Sequence, residues 1–385
     1  MRSAQTTISC RFIARTAAAI ALLIALAVAA HALEPNADGH VLPMAPRWSV
    51  DVAGAPAAEP VSDARQVYLA LKAGQVVARA LSDGAEKWRR DNLATAQPLG
   101  LDGSHLFVVA GAAIHALRTA DGRDDWIKPD LMPTAPLLAE GGWVIAATAS
   151  GLVALRGSDG AIVWQRKAGT IRERPTIDGD RLYFSLEDGR MTALQLESGE
   201  PIWEQQLGGA PGAVYVSHGR VYAGGSDKYF YCLRADTGEL LWEWRVGATF
   251  QGRPSGDEDH VYVAALDNIV RAFDRANGAL RWKVALPERP ASGPIVAGTT
   301  VFVPAVASEV WAFNARTGAR QGGVPVPERL AVPPELVERA DVGLFAFAIT
   351  GGLTNEWKLT LLATTGDPPV VPLSTLPGTV LPPER

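Results

Sequence analysis

Cysteine is nearly absent from this sequence of 385 residues, which contains only Cys10 and Cys232. Cys10 lies in a segment that we expect to be removed, and a chain left with one cysteine cannot form an internal disulfide. The sequence also lacks the C-x-x-C-H pattern that attaches a c-type haem. Cys232 stands where other copies of a repeat have alanine, so we expect it to be a small core residue and not a nucleophile.

Long apolar runs are lacking after residue 30. The run at 17–30 follows three arginines and precedes the small-x-small sequence AHA at 30–32, a pattern that predicts a secretory signal peptide over residues 1–32. An uncleaved inner-membrane anchor is the alternative, although the run is short for a membrane span. Because no cysteine follows to accept a lipid, we expect a periplasmic or secreted protein that is not a lipoprotein and has no remaining transmembrane span.

Positive charge is in the minority, with 36 lysines and arginines against 41 acidic residues. The formal charge of −5 becomes −8 once the three arginines of the signal are removed. Such a protein has no electrostatic reason to bind nucleic acid or an anionic lipid surface.

Histidine is scarce, with six in the sequence, and three of them, His105, His218 and His260, each precede a separate predicted strand. A shared metal site is therefore not expected. The acidic stretch GDEDH at 256–260 lacks the alternating ligands of a calcium loop. Nucleophile-elbow and zinc-protease motifs are absent as well, so we expect no catalytic residues and no metal.

What the sequence does contain is a repeat of about forty residues. Glycine recurs in phrases such as DTGELLW, at Gly84, Gly122, Gly160, Gly199, Gly238, Gly278, Gly318 and Gly366. In six copies tryptophan follows four residues later, at Trp88, Trp126, Trp164, Trp203, Trp242 and Trp282. A further tryptophan, Trp48, stands forty residues before the first of these. Repeats of this length indicate a propeller or a solenoid.

A second periodic pattern supports the repeat of glycine and tryptophan, because prolines stand at 60, 98, 136, 175, 211, 254, 294 and 334. Proline is tolerated at the first residue of a strand. Each unit contains four short alternating segments, so we predict an all-β protein, an eight-bladed β-propeller over residues 46–370. A linker at 33–45 precedes it, and a proline-rich tail at 371–385 follows. The orphan strand RWSVDV at 47–52 is predicted to complete the eighth blade and to close the ring.

With its glycine and tryptophan in register, the repeat resembles the PQQ-type (quinoprotein-like) propeller repeat. The resemblance implies that each tryptophan packs between neighbouring blades. In the resembled quinoprotein dehydrogenases, calcium, a catalytic aspartate and a disulfide of adjacent cysteines hold the quinone PQQ. This chain has no adjacent cysteines. The chain also resembles the propeller subunit of the outer-membrane barrel assembly machinery (BamB-like), but it lacks the lipid-bearing cysteine of that family. Such a resemblance implies a non-catalytic scaffold without a cofactor.

One loop face of units four to six is a candidate partner surface, because arginine and aromatic residues gather there in a net-acidic protein. These residues are Arg172, Arg174, Arg190, Lys228, Tyr229, Phe250 and Arg253. Ordinary solvated loops are the alternative explanation. We expect an exported scaffold or binding protein of the cell envelope, monomeric outside its complex, whose partner is an envelope protein such as a membrane β-barrel complex. A PQQ-dependent dehydrogenase with calcium, or a propeller that binds a small ligand in its channel, remains the alternative.

Overall fold

The structure is a computed structural model that describes residues 42–305, 309–325, 329–339, 343–351 and 356–364. Several predictions lie outside these residues: the signal peptide at 1–32, most of the linker at 33–45, Gly366, and the tail at 371–385. The described residues contain no helix, and hence none that is long and apolar enough to cross a membrane.

The described residues form eight antiparallel sheets of four strands each, and the sheets are the blades of a propeller. Blade 1 comprises β2 to β5, and the next six blades follow in chain order. Blade 8 comprises β30, β31, β32 and β1. The prediction of an all-β, eight-bladed propeller is confirmed.

The strands of the blades fall into two inner and two outer sets. The innermost strands are β2 (Val61–Ser62), β6 (Gly100–Asp102), β10 (Leu138–Glu140), β14 (Thr176–Asp178), β18 (Tyr215–Ser217), β22 (Ser255–Gly256), β26 (Ile295–Ala297) and β30 (Glu335–Arg339). The second strands are β3 (Gln66–Leu71), β7 (His105–Ala110), β11 (Trp143–Thr148), β15 (Arg181–Ser185), β19 (Arg220–Gly224), β23 (His260–Ala265), β27 (Thr300–Pro304) and β31 (Gly343–Gly351).

The third strands are β4 (Gln75–Ala80), β8 (Ala113–Arg118), β12 (Gly151–Arg156), β16 (Arg190–Gln195), β20 (Tyr229–Arg234), β24 (Ile269–Asp274), β28 (Glu309–Asn314) and β32 (Trp357–Thr364). The outermost strands are β5 (Glu86–Arg90), β9 (Asp124–Pro129), β13 (Ile162–Lys167), β17 (Pro201–Gln206), β21 (Leu240–Arg245), β25 (Leu280–Ala285), β29 (Arg320–Pro325) and β1 (Met44–Val52).

Burial explains why the sequence pattern changes across a blade. The second strand β11, WVIAAT, is buried at every position because blades pack on both of its faces. The outermost strand β9, DDWIKP, alternates between half-buried and exposed residues, as expected at the rim. The core therefore lies between blades, and one of its clusters joins Trp143 and Ile145 of blade 3 to Leu182 and Phe184 of blade 4.

Closure of the ring depends on the first strand of the chain. Strand β1 pairs antiparallel with β32, from Met44 opposite Thr364 to Val52 opposite Trp357. A bulge interrupts the pairing between Pro46 and Trp48. This pairing covers the edge of blade 8 that would otherwise be bare. The predicted closure by the N-terminal strand is confirmed.

A tryptophan and a glycine meet at each of seven seams between neighbouring blades. The indole of Trp203 in blade 4 packs against Gly238 of blade 5, and its Nε1 donates a hydrogen bond of 2.9 Å to the Ala235 carbonyl. Gly238 has φ +73°, and a Cβ there would lie 2.5 Å from the indole. Glycine is thus required twice, for the turn and for the close approach. The same pairing joins Trp48–Gly84, Trp88–Gly122, Trp126–Gly160, Trp164–Gly199, Trp242–Gly278 and Trp282–Gly318.

The seam between blades 7 and 8 is built differently. Gly322 of β29 stands where other outermost strands carry tryptophan. Among the described residues, aliphatic side chains pack around Phe302 in this seam, including Val310, Val324 and Ala346. The ring therefore has one junction without the indole and its hydrogen bond.

Removing β1 should destabilise the whole propeller. A chain that begins at residue 53 would leave the edge of β32 unpaired and the seam with blade 1 without Trp48, so its melting temperature should fall sharply. Thermal unfolding compares it with a chain that begins at residue 42 and keeps β1. Equal melting temperatures for the two chains would show that β1 does not close the ring.

Trp203→Ala should lower the free energy of unfolding by about 3–5 kcal/mol, because it empties a buried seam and removes a hydrogen bond. Trp244→Ala is the matched control, since Trp244 also lies on an outermost strand but is 38% exposed, whereas Trp203 is 8% exposed. Chemical denaturation measures both variants. Equal losses of stability would contradict the assignment of Trp203 to a structural seam.

Candidate functional site at the loop face and the central channel

One face of the propeller carries two kinds of loop, those that enter each innermost strand and those that join the second and third strands. We call it the loop face. Backbone hydrogen bonds tie the two kinds together within blades 4, 5 and 6, from Glu187 to Thr170, from Ser226 to Ala210 and from Leu266 to Thr249. The residues of the predicted partner surface belong to these loops and to the strand ends beside them.

A central channel of about 950 Å³ is lined by residues from all eight blades, at and just before their innermost strands. The channel is lined, where the chain enters the innermost strands, by prolines that recur once per repeat in the sequence, among them Pro98, Pro136, Pro175, Pro254, Pro294 and Pro334. Proline suits these positions because the entering residue has no ladder hydrogen bond to donate. The periodic prolines of the sequence therefore identify residues of the channel wall.

Two of the predicted surface residues, Arg174 and Arg253, line this channel. Arg253 donates from Nε to the Val214 carbonyl at 2.8 Å, and its guanidinium lies 5.6 Å from the centre of the Tyr215 ring. Both arginines are exposed to the water of the channel, but the protein around them partly desolvates their guanidiniums. This desolvation lowers the pKa of each guanidinium, and the charge of Arg174 lowers the pKa of Arg253 further.

Two other predicted residues are already paired with acids. Arg172 forms an exposed ion pair with Glu187. Arg190 contacts Asp188 at 2.6 Å and Glu204 at 3.0 Å, and these hydrogen bonds raise the pKa of its guanidinium. Asp188 and Glu204 therefore balance the positive charge of Arg190 within blade 4. The ion pair of Arg172 with Glu187 is instead exposed to solvent.

The three remaining predicted residues differ in accessibility. Lys228 is exposed at the tip of the turn between β19 and β20, with φ +72°. Tyr229 is half-buried beside Tyr231, with ring centres 6.2 Å apart. Phe250 is also half-buried, and its ring centre lies 5.8 Å from that of Phe230. The structure thus divides the predicted surface into a channel wall, an exposed rim and partly packed aromatic residues.

The channel wall also contains four carboxylates that were not predicted from the sequence: Glu59, Glu140, Glu173 and Glu335. The Oε1 atom of Glu335 accepts hydrogen bonds from the Ser62 backbone N–H at 2.9 Å and from the Ser62 hydroxyl at 3.1 Å. Its Oε2 atom is buried without a hydrogen-bond partner. Burial raises the pKa of Glu335 to about 8, and it also raises the pKa of Glu140 and Glu173. Adjacency to the strand-opening prolines was the signal that could have found Glu59 and Glu335.

The residues present do not fit a quinone held with calcium. Across the described ranges, no three histidine, cysteine or acidic side chains come together in a way that could hold a metal ion. The channel lining includes one aromatic residue, Tyr215, and the guanidinium of Arg253 lies over its ring. A planar cofactor would therefore lack aromatic faces to stack on. Cys232 is buried, and burial raises the pKa of its thiol to about 11, which disfavours the nucleophilic thiolate.

Comparison with known families gives a match over most of the chain. A family model described as outer membrane protein assembly factor BamB matches residues 44–185, 133–218 and 187–332. Together these segments span well over half of the chain, from blade 8's outermost strand to blade 7. No curated protein sequence matches the chain.

Solved structures share the fold. BamB from Moraxella catarrhalis is 21% identical with a TM-score of 0.65, over 84% of this chain and 98% of that chain. Quinohemoprotein alcohol dehydrogenase ADHIIG from Pseudomonas putida HK5 is 13% identical with a TM-score of 0.66, over 89% and 78%. The computationally designed Ika8 protein is also 13% identical with a TM-score of 0.66, over 82% and 99%. At these identities the likeness extends to the fold alone.

The raised pKa of Glu335 predicts a pH-dependent stability. Its pKa is about 8 in the folded chain and near the ordinary 4.5 in the unfolded chain, so the folded state binds the proton more tightly. The stability of the wild type should therefore fall between these pH values as the proton is lost. Glu335→Gln removes this penalty and should be more stable than the wild type at pH 8.5, by at least about 1 kcal/mol, but not at pH 4.

Thermal unfolding at both pH values measures the effect of Glu335→Gln. Glu197→Gln makes the same charge change at an exposed position and serves as the control. A stability gain that is independent of pH, or one shared by the control, would contradict the assignment.

Proposed function

Because the chain belongs to the family described as outer membrane protein assembly factor BamB, we propose that it is a non-catalytic scaffold of the cell envelope that binds a protein partner through the loop face of blades 4 to 6. The family match over residues 44–332 carries this proposal. The partner is a component of a membrane β-barrel assembly complex. The signal at 1–32 exports the chain to the periplasm, where it is a monomer when free of its partner.

The loop face offers the kinds of residue that dominate protein interfaces. Arg172 and Lys228 are exposed at its rim, and Tyr229 and Phe250 add partly accessible aromatic surface. Arginine and aromatic residues are enriched among interface residues that contribute most to affinity. The ion pair of Arg172 with Glu187 lies in open solvent, where such pairs are weak, so a partner's carboxylate can replace Glu187 at little cost.

A dehydrogenase is the competing function, since the fold is shared with a quinohemoprotein alcohol dehydrogenase. The lining of the channel argues against it, because its described residues include no cluster that could hold calcium and a single aromatic ring, Tyr215, for a planar quinone. Incubation of the purified protein with quinone, calcium and an alcohol or sugar tests this alternative. Reduction of a redox dye under these conditions would overturn the non-catalytic proposal.

Reversing the rim charges should disrupt the complex. The double variant Arg172→Glu with Lys228→Glu should reduce partner capture at least about tenfold, because like charges would then face the acidic groups of the partner. Capture is measured by crosslinking in the native envelope, followed by mass spectrometry for membrane β-barrel assembly proteins. Arg174 and Arg253 are left unchanged, so that the test reports on the rim and not on the channel.

The matched control is Arg123→Glu with Arg316→Glu, which reverses two exposed charges in turns between third and outermost strands, on the opposite face. This variant should capture the partner as the wild type does. Thermal unfolding establishes that both double variants are folded. Full capture by the rim variant, or equal loss by the control, would place the interface elsewhere.

A further inference from the structure

A histidine stands in a turn of blade 5 where other blades have glycine. His218 is the first residue of the turn between β18 and β19, and its φ is +52°. Four other blades have a glycine at positive φ in the same place: Gly103, Gly141, Gly179 and Gly298. Glycine adopts this backbone without steric cost, whereas few other residues do. A histidine here is therefore a departure from the repeat that the turn itself does not require.

The next blade departs from the repeat as well, at Arg275. Its carbonyl accepts the indole N–H of Trp242 at 3.0 Å, as one carbonyl does in each seam that holds an indole. In the other six such seams this residue is uncharged: Leu81, Thr119, Gly157, Leu196, Ala235 and Ala315. Arg275 is 4% exposed, so the seam between blades 5 and 6 buries a guanidinium where the others bury no charge.

These two unusual side chains contact each other. The Nη1 atom of Arg275 lies 2.5 Å from the Nδ1 atom of His218. A guanidinium can only donate, so Nδ1 accepts and the proton of the neutral imidazole is on Nε2. The Nε and Nη2 atoms of Arg275 are buried without a hydrogen-bond partner. Within the described residues, His218 is thus the side chain that accepts a hydrogen bond from this buried cation.

The other charges around His218 balance one another. A recess of about 600 Å³ between blades 4 and 5 is lined by His218 and by three cationic and three acidic side chains, Arg181, Arg220, Arg234, Asp178, Asp180 and Asp236. The hydroxyl of Ser217 is a neutral neighbour, 2.8 Å from Nδ1. The formal charges of the recess cancel, which leaves Arg275 as the unbalanced charge beside the ring.

No group around Arg275 replaces the imidazole. On β19 and β20, Tyr222 and Cys232 are neutral, because burial raises the pKa of both. From blade 6, the backbone carbonyl of Asp259 accepts the Arg275 amide N–H at 3.0 Å. The Asp259 carboxylate forms no hydrogen bond with the guanidinium, whose Nε and Nη2 have no partner. The guanidinium therefore depends on the neutral form of His218.

Protonation of His218 would remove this acceptor. The new N–H at Nδ1 would point at a donor, and a second positive charge would lie beside a buried one. In the unfolded chain the two residues are apart, so protonation costs more in the folded chain. The stability that depends on this contact is therefore complete above the range in which a free imidazole titrates, about pH 6.5, and is lost as the pH falls through it.

We propose that His218 and Arg275 form a pH-sensitive contact that holds blade 6 against blade 5 while the imidazole is neutral and weakens this seam when the imidazole is protonated. The contact lies on the face opposite the loop face and acts without the partner.

His218→Asn tests the proposal, because asparagine tolerates positive φ and its Oδ1 accepts a hydrogen bond at every pH. Urea denaturation at pH 7.5 and pH 5.0 gives the equilibrium constant of unfolding for each chain. Between these pH values the constant of the wild type should rise at least about fivefold more than that of His218→Asn. Arg275→Leu, with the residue found at Leu81 and Leu196, should lose the same pH dependence. An equal rise in the wild type and in either variant would overturn the proposal.

His105→Asn is the matched control, since His105 also lies beside such a turn but its Nε2 contacts the Asp125 carboxylate at 2.9 Å. An acidic partner favours the protonated ring, so this variant should not reduce the loss of stability in acid. Hydrogen exchange locates the effect. After correction for the intrinsic effect of pH, the Arg275 amide should exchange faster at pH 5.0 in the wild type but not in His218→Asn. The equivalent amide of Ala235, in the seam between blades 4 and 5, should be unaffected. A smaller acid loss in the control, or equal acceleration at both seams, would contradict the assignment.

Discussion

The propeller depends on the contact between an indole and a glycine at the seam of two blades. The tryptophan side chain crosses from one sheet to the next, stacks on a glycine turn and donates its N–H to a carbonyl there, as Trp164 does to Leu196 at 2.7 Å. Each blade alone is a small sheet with two apolar faces, which water would destabilise. Seven repeats of this seam contact, together with the aliphatic seam between blades 7 and 8, give every described blade neighbours on both sides and hold the innermost strands around a common channel.

The repeat made most of the fold predictable from sequence. Glycine and tryptophan identify a contact between successive units, and proline identifies where each unit enters its innermost strand. The predictions succeed because they concern backbone constraints, such as the positive φ of Gly238, that few residue types satisfy. The closing strand was predictable for a related reason, since Trp48 belongs to the repeat but precedes the first complete unit.

The candidate site was only partly predictable, because its residues are defined by what surrounds them. Arg172, Arg174 and Arg190 are close in the sequence, yet one lies at the rim, one in the channel and one between two carboxylates. Sequence spacing places them on one face, but it does not show which charge is already balanced. The acidic channel wall escaped notice because its members come from different blades, so their proximity exists only once the ring is closed.

Closure by β1 also affects how the chain is made. Ser49 and Thr360 are hydrogen-bonded partners separated by 311 residues, so the first strand to leave the ribosome waits for the last to arrive. Blades 1 to 7 can assemble in the order of synthesis, because each uses strands that are adjacent in the sequence. Until residues 357–364 emerge, both ends of the growing propeller expose a free strand edge, a state prone to pairing with other chains. The pairing of β1 with β32 removes both edges at once, so it is the step that turns an open row of blades into a closed ring.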